Sequence, residues 1–128
     1  MAAFSNYLEN ALINGTLRAT TYTAPTTVYV ALFTSDPTDA GSGSELSGNG
    51  YARQSATFAA PSNGAASTNA DVQFPQATGT QGTVTHFAIF DALTTGNMLY
   101  HGALTTSKTI DTGDVFKIAS GSLTVTLA

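Results

Sequence analysis

The stretch THFAIFDALTTGNMLYHGAL, residues 85–104, decides the fold. It holds both histidines of the chain, His86 and His101, with Asp91 between them. Two readings compete: a metal or catalytic constellation, or a β-hairpin that carries three polar residues. A zinc site needs three or four ligands, and no third ligand stands at a recognisable spacing. The flanking runs THFAIF and NMLYHGAL are apolar, aromatic and β-branched, as strands are. In an antiparallel hairpin folded near Thr94, His86 falls opposite Gly102 or His101, so the histidines are at most cross-strand neighbours. Asp91 stands at a strand end, where Asp commonly opens a turn. The hairpin is the stronger reading.

Working outward, the same pattern continues in both directions. TTVYVALFT (26–34) is apolar on both faces and reads as a central strand. YARQSATF (51–58) is half polar, and NADVQFP (69–75) puts Ala70, Val72 and Phe74 on one face before Pro75 ends it. Downstream, KTI, the turn DTGD, VFKIA, the turn SG and SLTVTLA follow. In that last run Leu123, Val125 and Leu127 point inward and Thr124 and Thr126 outward. Before all of these lies one helix candidate, residues 5–14, with Ser5 as N-cap and Gly15 as its stop. The expectation is an all-β fold, a small antiparallel β-sandwich or barrel of about seven to eight strands. One short N-terminal helix precedes it. Residues 1–17 form a helical segment packing on or extending from the domain, and residues 18–128 a single β-domain.

Composition narrows the function. The 128 residues suit one domain, with 42% hydrophobic residues but only 9% charged, against roughly 25% in average soluble domains. Such a neutral surface suits a subunit packed among other proteins. The four basic residues, Arg18, Arg53, Lys108 and Lys117, are scattered, which argues against nucleic-acid binding. No run approaches the length of a membrane span, and no cationic amphipathic helix marks a membrane surface. Cysteine is absent, so disulfides and thiolate chemistry are excluded. The N-terminus lacks the charged and apolar regions of a signal peptide, and the expectation is assembly in a cytosol.

Other motifs favour structure over chemistry. No G-x-S-x-G accompanies the many serines. The loop GSGSELSG, with Asp36, Asp39 and Glu45 in or near it, lacks EF-hand spacing. GSGSELSGNG and TGTQG lack the Gly-Lys-Ser/Thr of a phosphate loop. Such long loops are either disordered in isolation or ordered by a neighbour. Arg53 has Glu45 or another acidic loop residue as a candidate ion-pair partner, within the chain or across an interface; the alternative is an edge-strand arginine in solvent.

ALFTSDPT, GYARQ, the THFAIFDA and GNMLYHGAL halves of the hairpin, and GDVFKIASGSLTVTL together resemble a family of small virion structural proteins of tailed bacteriophages. The resemblance covers nearly the whole chain. It implies no catalytic residue and no cofactor. The favoured expectation under it is a non-enzymatic capsid decoration (cement) protein in the virion, assembled in the host cytoplasm. That protein would bind the major capsid protein as a homo-oligomer, with a trimer as one symmetry. The alternatives are a tail, baseplate or fibre module, or a carbohydrate-binding β-sandwich. The last lacks Trp, although Tyr22, Tyr29, Tyr51 and Tyr100 could partly substitute. The helix carries Phe4, Leu8 and Leu12 on one stripe and Tyr7 and Ile13 away from it, more apolar surface than one core accepts. Phe4, Tyr7, Leu8, Ile13 and Arg53 are therefore the expected partner interface.

Overall fold

The opening stretch is a hairpin in the computed structural model, which describes residues 2–127. Its two strands, β6 (Gly82–Phe90) and β7 (Met98–Ile110), lie beside β2 (Val28–Phe33), so β6 is flanked on both sides. The sheet is completed by β1 (Ala3–Phe4) and β3 (Gln54–Ala56), in the order β1-β7-β6-β2-β3, every pair antiparallel. Two short antiparallel ribbons form the second layer. They are β4 (Ala65–Ser67) with β9 (Thr124–Thr126), and β5 (Val72–Gln73) with β8 (Lys117–Ile118). The described residues thus hold nine strands in three separate sheets, an open sandwich, and the barrel alternative falls away.

The main core lies between the layers. Val30 and Leu32 of β2 and Phe87 and Ile89 of β6 meet Val72, Phe74, Leu123 and Val125 from the ribbon side. Phe116 and Ile118 pack against this cluster half buried. The opposite face of the sheet carries a smaller cluster of Ala31, Phe33, Ala88, Phe90 and Met98. Period-2 alternation along β2 and β6 therefore feeds two cores, which explains why both strands are apolar on both faces.

The register departs from a regular hairpin in two places. Phe90 pairs with Met98 but Ile89 with Tyr100, so Leu99 is an extra residue, a β-bulge. Because of it His86 faces Ala103, not Gly102 or His101, and His101 faces Ala88. Farther along, Val84 pairs with Lys108 and His86 with Ala103, which sets Thr85 against residues 104–107. The runs expected as two strands, NMLYHGAL and KTI, are therefore one strand with an irregular middle.

The N-terminus is joined to the sheet beside the bulge. Ser5 N–H donates to the Leu99 carbonyl at 2.9 Å, and β1 pairs with Tyr100 and His101. Helix α1 (Asn6–Leu17) then starts as expected, with Ser5 Oγ accepting from the Leu8 N–H at 3.1 Å. It runs past the expected stop at Gly15. The end comes where Ala19 takes φ 54°, and the Arg18 and Thr20 N–H groups both donate to the Asn14 carbonyl. Leu127, expected inside, is 42% exposed because β9 ends at Thr126.

Ile89→Ala, which empties a nearly inaccessible site, is expected to lower stability by about 2–5 kcal/mol. Leu127→Ala should stay within about 0.5 kcal/mol. Chemical denaturation of the two variants checks the inward and outward assignments.

Candidate functional site

Of the polar residues singled out in the sequence, His101, Asp91 and Arg53 hold loops, whereas His86 lies within β6. His86 and His101 do not converge. His86 Nδ1 is 2.8 Å from its neighbour Thr85 Oγ1. His101 is buried, with Nε2 2.7 Å from Asp39 Oδ1 and Nδ1 3.8 Å from Asp36 Oδ1. Asp91 closes its own turn, accepting from the Asn97 N–H at 2.7 Å and from Asn97 Nδ2 at 3.1 Å. Among the described residues no group of three or more His, Asp or Glu side chains is arranged to hold a metal ion.

Residues 34–50 fold back onto their own sheet. Thr34 N–H donates to the Ser44 carbonyl and Leu46 N–H to the Leu32 carbonyl, while Pro37 is fully buried. Gly43 is required where the two limbs meet, since a Cβ there would lie 2.8 Å from the Asp36 carbonyl oxygen. Asp39 ties this loop to two other elements at once. Its carboxylate meets His101 on β7, and its carbonyl accepts from Asn6 N–H at the start of α1 at 2.8 Å.

A second cluster centres on Glu45. Arg53 grips its carboxylate through Nε and Nη2, each at 2.9 Å, the bidentate geometry that makes such pairs strong. Arg53 Nη1 donates to the carbonyls of Ala92 and Thr95, at 2.9 and 2.8 Å, in the β6–β7 turn. Its guanidinium lies 3.7 Å from the centroid of the Phe90 ring, which stacks parallel on Phe33. Tyr51 Oη donates to Glu45 at 2.6 Å and accepts from the Leu32 N–H at 3.1 Å. Burial and the adjacent Glu45 carboxylate push the Tyr51 phenol far above its ordinary range, which keeps the proton on the donor. Thr95, at φ 51°, is a β-branched residue in the left-handed region, and the bond from Arg53 helps hold it there.

Glu45 is thus the partner of Arg53 inside the chain. Tyr51 and the two carbonyls complete a cluster of which the sequence suggested only the ion pair. The Tyr51-x-Arg53 spacing was the available signal, since residues two apart on an extended segment share a face. Nothing marked the contact between Asp39 and His101, which are 62 positions apart.

Of the residues expected at a partner interface, Leu8 and Arg53 are buried within their own chain. Phe4 is half buried, edge-on to Tyr100. Tyr7 and Ile13 are 41% and 53% exposed, and Leu17, one turn beyond Ile13, is 79% exposed. The apolar surface open to solvent on α1 is therefore its outer face.

Removing the Glu45 carboxylate leaves a buried guanidinium without its counter-charge. Glu45→Ala is expected to cost about 3–5 kcal/mol, with Glu45→Leu combined with Arg53→Met recovering much of the loss. Equal destabilisation of the single and double variants in denaturant titrations would show that the pair does not hold the loops.

The family model described as Podophage GP4 fiber I protein gp80 matches residues 3–126. No curated protein matches the chain.

Proposed function

The chain belongs to the Podophage GP4 fiber I protein gp80 family, one of tailed-phage virion structural proteins, and from that premise we propose that it is a subunit of a tail-associated fibre. The match over residues 3–126 carries this reading. It favours the fibre alternative over capsid decoration, and with it other fibre or tail proteins over the major capsid protein as partners. The structure agrees in kind: its polar clusters are occupied in holding loops, and the protein acts by shape and contact. Immunogold electron microscopy of the virion tests the reading. Label is expected on fibres attached to the tail, whereas label over the capsid shell would restore the decoration reading.

The fibre subunit associates with copies of itself through the outer face of α1. Ile13 and Leu17 stand one turn apart on that face, both exposed, in a protein with few charges to oppose association. A stable contact of this kind covers on the order of 1,000 Å² or more in total. Sedimentation of the purified protein is expected to show an oligomer that Ile13→Ser with Leu17→Ser reduces to a monomer with unchanged far-ultraviolet circular dichroism. An oligomer indifferent to both substitutions would move the contact elsewhere.

A further inference from the structure

Tyr7 projects from α1 between two clefts that the loop-holding clusters leave open. One cleft, of about 430 Å³, lies between the helix and residues 20–23. Its walls include Tyr7, Tyr22, Asn10 and Asn14 together with threonines, and Ala11 is its one wholly apolar liner. The other, of about 340 Å³, is lined by Tyr7 with Asn6, Asn97 and the loop at Asp39. Volumes in this range suit small ligands.

The chemistry of the first cleft is uniform. It carries no charged residue, which disfavours phosphates, nucleotides and acidic peptides. It is not an apolar groove either, because phenol, amide and hydroxyl groups line it. Two aromatic rings provide flat faces for an apolar surface, and their hydroxyls provide polar tips. Asn14 Oδ1 already accepts from Arg18 Nη1 at 3.4 Å, which leaves the amide hydrogens for a ligand acceptor. In the second cleft Asn97 Nδ2 already donates to Asp91, which leaves its carbonyl oxygen for a ligand donor. A ligand crossing Tyr7 therefore meets aromatic faces with donors on one side and acceptors on the other.

A neutral sugar chain has that complement. Each ring offers a face of C–H groups for stacking and hydroxyls that both donate and accept, with no charge to neutralise. Tyr22 is set close to Tyr7 and Tyr100, and its phenol is held above the ordinary range mainly by burial and then by these neighbours. It forms the half-buried wall of the cleft, while Tyr7 is the exposed platform. We propose that the surface around Tyr7 and Tyr22 is a binding site for a neutral oligosaccharide, with Asn10, Asn14 and Asn97 reading its hydroxyls. The site adjoins the Ile13 and Leu17 contact along α1, since Asn10 and Asn14 each stand three residues before them, and it does not depend on where in the virion the subunit sits.

The test is amide NMR of the isotope-labelled full chain, titrated with neutral trisaccharides of glucose, mannose, galactose and N-acetylglucosamine to ~10 mM, the reach of weak binding. At least one is expected to shift amides in α1 and residues 20–23. Tyr7→Ala should weaken that binding by about tenfold or more, and Tyr7→Phe should retain it. Asn10→Ala, at an exposed position, gives a second reading free of any folding defect. The proposal is overturned if no member of the panel moves these amides, if the shifts lie elsewhere, or if Tyr7→Ala binds as the parent does.

Discussion

Because successive side chains of a strand point to opposite faces, burying β6 commits Phe87 and Ile89 to one layer and Ala88 and Phe90 to another. A strand flanked by β2 and β7 has no solvent face, so both layers must be covered. The two ribbons β4–β9 and β5–β8 cover the first with Leu123, Val125, Val72 and Phe74. The second is covered without further strands. Residues 36–41 reach over it, with Asp39 bonded to His101 and Gly41 beside Met98, and Arg53 rests on Phe90. A loop used as a lid must satisfy its own backbone and hold its place. The Glu45 and Asp39 clusters meet both needs on the same face of the sheet.

The bulge at Leu99 connects this arrangement to the N-terminus. The β1–β7 register runs one residue beyond Phe4, so the carbonyl of the bulge residue Leu99 accepts from Ser5 N–H. From there Ser5 caps α1 and Asn6 bonds to Asp39, so three elements distant in sequence meet within a few residues. Leu8 is buried as a result, and the helix presents only its outer face to a neighbour. A short helix of this length gains its stability from such packing, since it would be marginal alone.

The low charge acquires a structural meaning in the same way. Where many β-proteins place ion pairs across strands, this chain pairs hydroxyls: Thr83 with Thr109 at 2.9 Å and Ser67 with Thr124 at 2.8 Å. Its best-formed ion pair, between Arg53 and Glu45, is partly buried and serves the loops. What remains outside is sparsely charged, hydroxyl-rich and apolar in places, a surface fit for packing against other virion proteins.

Pattern alone determined the all-β class, the capped N-terminal helix and the inward residues of the main core, because these rest on local periodicity and capping. It also separated hairpin from metal site at residues 85–104, because ligand number and spacing are properties of the chain. The Arg53–Glu45 pair was half legible, for opposite charges eight positions apart announce a partner but not its burial. The Leu99 bulge, the true partner of His86, the continuation of α1 through Gly15 and the outward turn of Leu127 were decided elsewhere. Each depends on which distant segment satisfies a backbone group or covers a side chain, and a linear pattern holds no record of that. The meeting of Asp39 with His101 is the clearest instance: two ordinary residues acquire a role only when a loop is laid across the sheet that needs covering.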